Sequence, residues 1–432
     1  MLFERIGLVD ENFGYRENMY VGTSGNLIVY VSSEAPSAEM IENLGEKYDG
    51  KGKVLMPGFV NAHGHSPMSL MRGYGENLPL QSWLFDLVFP FEAHLYGKAV
   101  YWGQLLSMAE SIRYGIISTS DIYFFLDDMA KAVSTSGAKA NISQGVSANG
   151  FKPSENPGIK AMHESIIMFH GIEDGRILTD ACIHAEYTSN EETVQAVLEE
   201  AHKYDVITHI HISETEFEVE ECKKRHNGLT PVEYFNDMGA FDKRALAAHC
   251  VHVTDNDMDI LKAKDVSVAT NPISNLKLVS GICEADKMLK KGINLCVGTD
   301  SSTSNNSLDF FEELKTFALL GKLKAKDPAA LTPQQVLYAG TRAGAIAQGR
   351  MDCGLVKEGY KADLIVVDTD VPNMQPVFNM MNNLVYSACG KDVVLTMCDG
   401  RVLYRDGEYT TIDIEKTIAE TDAARKKILS MI

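Results

Sequence analysis

The chain has 432 residues, more than one hydrophobic core usually organises, which predicts one large domain and a smaller one. Its 40 Lys and Arg against 59 Asp and Glu leave a net charge of −19, a field that repels phosphate and argues against nucleic-acid or anionic-membrane partners. No run approaches the roughly 18 consecutive apolar residues of a transmembrane helix, and the acid-bearing start MLFERIGLVDENFGYREN does not read as a signal peptide.

Residues 1–53 read as short strands with turn punctuation, for example Asn26–Ser32. Strand-like runs follow at Val54–Ala62, Ile116–Tyr123, Ala138–Val146, Ile177–His184, Val206–Ile212, Ala245–His249, Val266–Asn271 and Ile293–Asp300. Amphipathic helical patterns separate most of them. Glu191–Tyr204 is preceded by Ser189 with Glu192 three residues on, and Pro333–Ala347 by Thr332 with Gln335, both capping-box spacings. This alternation predicts a (β/α)8 TIM-type barrel, although a doubly wound sheet would alternate in the same way. Short strands return at Ala362–Asp368, Val393–Cys398 and, after the turn Asp399-Gly400, Arg401–Arg405, before a helix over Asp413–Ser430. Neither end is long enough for its own sheet. We therefore expect residues 1–56 plus 359–432 to form one composite β-sandwich with the C-terminal helix, flanking a barrel of residues 57–358. The eight cysteines are scattered without a CxxC pair, which fits reduced thiols in a cytoplasmic protein.

Chemistry-bearing residues gather at the ends of the barrel strands. His63 and His65 end the first, His184 the fourth, His211 the fifth, His249 the sixth and Asp300 the eighth. Barrel enzymes carry their sites at those C-terminal ends, whereas structural residues would be scattered. Two His at i and i+2 on a strand share a face, and three His with one Asp and an open position suit a catalytic zinc, with iron or manganese as alternatives. Such an ion makes hydroxide available near neutral pH. Glu214, three residues past His211, can lie beside the metal as the proton carrier; Glu216, Glu218, Glu220 and Glu221 read as solvated helix surface. His209 also shares the His211 face, and a hydrogen-bonded core role suits it better than ligation. No G-x-S-x-G elbow, phosphate-binding glycine loop or P-C-x-x-C deaminase signature is present.

Taken in order, Pro57-Gly-Phe-Val-Asn-Ala-His-Gly-His65, His211-Ile-Ser-Glu214, Ala248-His-Cys-Val-His252, Asn271-Pro-Ile-Ser-Asn-Leu-Lys-Leu278, Gly298-Thr-Asp-Ser-Ser-Thr-Ser-Asn-Asn-Ser307 and Gly359-Tyr-Lys-Ala-Asp-Leu-Ile-Val-Val-Asp368 resemble the amidohydrolase superfamily, nearly end to end. Within it the chain is similar to the 5′-methylthioadenosine/S-adenosylhomocysteine deaminases. The resemblance implies a divalent metal held by His63, His65, His211 and Asp300. It implies that Glu214 passes protons at the purine, that His249 hydrogen-bonds the attacking hydroxide, and that Asp300 also takes part in catalysis. It further implies a nucleoside site formed by Trp83, Glu92 and His184, and relatives suggest a homo-oligomer. Family members that accept S-adenosylhomocysteine carry an arginine where this chain has Gln144, and the loop from Ala148 to Pro157 holds Lys152 but no arginine. With Glu186 adding negative charge nearby, we expect a preference for adenosines with small, uncharged 5′ groups. Rival readings are an amidohydrolase acting on a triazine, guanine, pterin or cytosine, and a non-enzymatic metal-binding scaffold.

Overall fold

The computed structural model describes residues 1–432. Eight parallel strands, Phe59–Gly64, Ile116–Tyr123, Lys139–Val146, Ala181–Ile183, Thr208–Ile212, Ala245–His249, Ser267–Thr270 and Leu295–Val297, pair as neighbours in chain order. The ring closes where Gly64 bridges Asp300, with Asp300 N–H donating to the His63 carbonyl at 3.0 Å. That closure makes the barrel and excludes the doubly wound sheet. Every residue of Phe59–Gly64 and Ile116–Tyr123 is buried, because helices cover the outer face and side chains fill the inner one.

Two expected strands are each two. Val54–Ala62 breaks at Gly58, where a Cβ would stand 2.6 Å from Ile117 Cγ1, so only glycine lets the chain turn against the second barrel strand. Lys53–Pro57 belongs to the terminal sheet and Phe59–Gly64 to the barrel. Ile177–His184 breaks at Asp180, a buried carboxylate that accepts from Asn141 Nδ2 at 2.9 Å. The helices also differ in detail. Asn190, not Ser189, caps Glu191–Tyr204 by accepting from Thr193 N–H. The Thr332 capping box is present, but its helix ends at Gly340 and a second runs over Arg342–Ala347.

The two termini build one continuous nine-stranded mixed sheet. Lys53–Pro57 pairs with Leu2–Val9 on one side and with Leu364–Asp368 on the other, which is where the N- and C-terminal segments meet. Alternation along Leu364–Asp368 explains its position. Leu364 and Val366 enter a small core with Phe3, Ile6 and Leu8, while Ile365 and Val367 enter the core shared with the barrel. Lys139, at the start of the third barrel strand, pairs with Asp363 and, at 2.8 Å, with Asp399 of the terminal sheet, and all three are largely buried. The helix Ile414–Leu429, capped by Asp413, packs back on Gly97–Arg113 through Thr421 Oγ1 donating to the Trp102 carbonyl at 3.1 Å.

Candidate active site

The barrel mouth collects the imidazoles. His63 is fully buried near the end of the first strand, and His65 sits just past that strand, opening a short 3-10 turn over Ser66–Met71. Each ring is turned by its Nδ1. His65 Nδ1 donates to the Ile122 carbonyl at 2.7 Å, and His211 Nδ1 donates to the His184 carbonyl at 2.6 Å. A carbonyl only accepts, so in each neutral ring Nε2 carries the lone pair, and the two Nε2 atoms face each other at 3.3 Å. Asp300 Oδ1 lies 3.2 Å from His65 Nε2 and 3.6 Å from His63 Nε2. Its Oδ2 accepts from Ser274 Oγ at 2.5 Å and Ser304 Oγ at 2.9 Å, which leaves Oδ1 free to point inward. His63 Nε2 is buried with no hydrogen-bond partner. Opposed lone pairs, an orphaned ring nitrogen and an inward carboxylate repel one another or go unsatisfied unless a cation sits among them. The donor set therefore fits a divalent metal. Ligand atoms of His63, His65 and Asp300 lie within 4.8 Å of one another, as do those of His63, His211 and His249.

Two further groups face this cluster. Glu214 is buried, and its Oε1 accepts from Ser280 Oγ at 3.2 Å. Burial raises its carboxyl above the usual range, with Asp300 adding to that and His249 opposing it. His249 Nε2 lies 3.9 Å from Glu214 Oε2, and its Nδ1 is met by Asn275 Oδ1 at 2.9 Å. Glu218 departs from the sequence reading. It is no surface charge: its two oxygens accept the backbone N–H groups of Ser213 and Glu214 at 2.8 and 2.7 Å, fixing the turn that aims Glu214. Burial, with Glu214 beside it, pushes its carboxyl up to about 7.

A cavity of about 550 Å³ opens above the cluster, a size suited to a small molecule. His65, His211, Glu214, His249 and Asp300 form its floor. His184 stands in the wall, held neutral by burial that lowers it to about 4, with Nδ1 3.0 Å from Thr188 Oγ1. Trp83 opens a widened π-type turn over Trp83–Val88 and, with Leu80, Leu84 and Phe89, makes an apolar side. Glu92 lines the same side near Tyr123, and burial pushes its carboxyl up to about 7. Gln144 does not line the cavity. Its side chain is buried and donates to the Gly145 carbonyl at 3.2 Å, leaving Gly145 backbone at the wall. Nor does Glu186 add free charge, since Arg225 grips it through two nitrogens and His226 Nε2 lies 2.8 Å away. Lys152 is exposed and outside the lining.

Residues 54–403 match the model of the amidohydrolase family. The chain belongs to the amidohydrolase family. It is 42% identical over 395 residues to the 5-methylthioadenosine/S-adenosylhomocysteine deaminase of Dictyoglomus thermophilum, covering 91% of each chain. It is 43% identical over 389 residues to the 5′-deoxyadenosine deaminase of Methanosarcina acetivorans, covering 90% of each. The crystal structure of an adenosine deaminase from Xanthomonas campestris with bound zinc superimposes with a TM-score of 0.91 at 30% identity, covering 99% of this chain and 98% of that one.

For this amidohydrolase, sequence reasoning named the groups at the strand ends and missed those that hold them. Ser274 and Ser304 on Asp300, Asn275 on His249, Ser280 on Glu214 and Tyr123 beside Glu92 had no assigned role. The first four lie within or just past Asn271–Leu278 and Gly298–Ser307, the polar segments after the seventh and eighth strands, and that position was their only signal.

Proposed function

We propose that this chain is a metal-dependent hydrolytic deaminase of adenosine-type nucleosides, replacing the adenine 6-amino group by oxygen to give the inosine analogue and ammonia. Its likeness, over about nine-tenths of the chain, to deaminases of such nucleosides carries the reading. The convergence of Glu214 with the His/Asp cluster in one cavity supports it.

His63, His65, His211 and Asp300 would hold the ion, and a zinc-bound structural relative favours zinc. When bound, a divalent ion in such a site supplies the acidity that makes hydroxide available from water near neutral pH. Glu214, whose carboxyl burial raises, donates to the ring nitrogen beside the attacked carbon and so withdraws electrons from that carbon, and the proton that water loses in becoming hydroxide restores it. His249 hydrogen-bonds the attacking oxygen. Asp300 takes the proton that the oxygen loses and returns it to the departing amine, so one water is consumed and one ammonia released. His184 contacts the purine, and Glu92 accepts hydrogen bonds from the ribose hydroxyls, which selects nucleosides over bases. Trp83 closes the apolar side over the sugar.

The cavity lining holds the acids Glu92, Glu214 and Asp300 but no Lys or Arg. A substrate carboxylate would find neither a lysine nor an arginine to pair with there. This supports adenosines with methylthio, deoxy or hydroxyl 5′ groups over S-adenosylhomocysteine. The test is deamination by zinc-loaded protein of adenosine, 5′-deoxyadenosine, 5′-methylthioadenosine, S-adenosylhomocysteine, adenine and guanine, followed by ultraviolet absorbance and ammonia release. Turnover of the uncharged nucleosides but not the bases is expected. A tenfold preference for S-adenosylhomocysteine would overturn the 5′ assignment. No turnover of any adenosine with metal bound would overturn the nucleoside reading.

A further inference from the structure

We propose that His209 is a positioning residue that sets the proton on His63 and thereby makes His63 Nε2 a metal ligand. The inference rests on the reading of His63 as a ligand. His209 lies two residues before His211 on the fifth strand and is fully buried. The first and fifth strands stand opposite each other in an eight-stranded ring, and odd-numbered strands fill one layer of its interior together. His209 therefore meets His63 across the barrel, one layer below the cluster, with Nε2 3.1 Å from His63 Nδ1 and ring centroids 5.1 Å apart.

Only one proton can lie between these two nitrogens. If His209 Nε2 carries it, His63 Nδ1 is the acceptor and the remaining proton of a neutral His63 falls on Nε2, where it blocks a metal. If His63 Nδ1 carries it, Nε2 presents a lone pair to the site, and His209 must hold its own proton on Nδ1. His209 Nδ1 has no partner of any kind. A buried polar atom without a partner works against stability. In register beside His209 on the flanking strands stand Cys182 and Leu246, so an apolar side chain would suit that layer. The one polar contact His209 makes is to His63, and that contact is what distinguishes it from a packing residue. A second group behind a ligating imidazole fixes its tautomer and orientation and raises its basicity.

The experiment compares the parent with His209→Leu and His209→Gln. Zinc dissociation constants are read by competition with a chromophoric chelator, and thermal midpoints are read on the metal-free proteins. His209→Leu is expected to weaken zinc roughly 10- to 100-fold without lowering the metal-free midpoint. His209→Gln, whose carbonyl oxygen accepts from the same N–H, is expected to recover most of that loss. Unchanged zinc affinity in His209→Leu overturns the proposal. So does an equal loss of affinity and midpoint in both variants, which would mark a packing role. Should His209→Leu fail to fold, imidazole nitrogen NMR of the zinc-loaded parent decides. A proton on His63 Nδ1 with a lone pair on His209 Nε2 supports the assignment, and the reverse refutes it. A parent that binds no zinc removes the metal reading and this inference together, whereas a parent whose affinity survives His209→Leu removes this inference alone.

Discussion

Replacing Glu92 by Gln separates what this side chain costs the fold from what it does for a nucleoside. Burial pushes its carboxyl from 4.5 up to about 7. In the unfolded chain the group ionises at its ordinary value, so between the two values the folded chain holds the extra proton. Stability is therefore lost as pH rises from 4.5 to about 7 and is level above that. At about 1.4 kcal/mol per pH unit the gap corresponds to about 3 kcal/mol. Cavity water reaches the partly exposed carboxylate and screens some of it, leaving about 1–3 kcal/mol. Glu92→Gln does not titrate, so at pH 8 the variant should resist urea better by that amount, with the difference vanishing toward pH 4.5. The same change would replace one of the two oxygens proposed to accept from the ribose hydroxyls by an NH2 donor, leaving one hydroxyl without its acceptor. A hydrogen bond to a charged group contributes about 1.5–3 kcal/mol, so KM for adenosine should rise by about tenfold or more. A stability difference independent of pH would refute the burial argument, and an unchanged KM would discard the ribose contact.

Three other perturbations have defined outcomes. Glu214→Gln should keep zinc content at the parent's level while kcat falls by about 10²- to 10⁴-fold, the usual contribution of a positioned acid; metal analysis beside steady-state kinetics checks both. Lys139→Met strands Asp363 and Asp399, buried charges left without their cation, and should cost about 3–5 kcal/mol in urea unfolding. A loss under about 1 kcal/mol would show that water screens the triple. Gly298→Ala drives a Cβ against Asn271 Oδ1 and to 2.7 Å from the His63 carbonyl oxygen. Because part of the obstruction is backbone, it should destabilise by about 1–3 kcal/mol and weaken zinc binding, read by the same chelator competition.

The strand-end array was legible because a barrel repeats one geometry. Once His63, His211, His249 and Asp300 were seen to end the first, fifth, sixth and eighth runs, their convergence followed from the fold. Boundaries were less legible. Gly58 and Asp180 interrupt apolar runs, and hydrophobicity alone cannot tell a strand that changes sheets from one that continues. Glu218 was misread for a related reason. It stands in a run of acids on a helix, and only the turn at Ser213, whose φ is +53°, brings two backbone N–H groups within its reach. Gln144 shows the limit of carrying a role by position. It lies near the end of a strand beside the cavity, yet its side chain turns to its own neighbour's carbonyl and the wall is left to Gly145.

The mouth of this barrel carries conformational and burial costs of its own. Ser213, His249, Cys250 and Asp300 all hold positive φ at the mouth, a conformation that opposes any side chain with a Cβ by about 1–2 kcal/mol each. Glu92, Glu214 and Glu218 add buried carboxyls there. Neighbouring backbone holds the turns in place: Cys250 N–H donates to the Ile212 carbonyl and Val251 N–H to that of Ser213, each at 3.0 Å. The far end carries none of the proposed metal ligands, although Asp205 and Asp265 hold positive φ and the Asp180 carboxyl is buried there too. There Lys139 ties the barrel to the terminal sheet, and the Arg350 guanidinium donates to the carbonyls of Ala140, Gly175 and Arg176. A site that must hold lone pairs and acids close together in a dry pocket opposes folding at each of those placements, and contacts away from the chemistry help to offset it. Substitutions that relax the mouth should therefore raise stability and lower turnover together, whereas those that tighten the far end should raise stability alone.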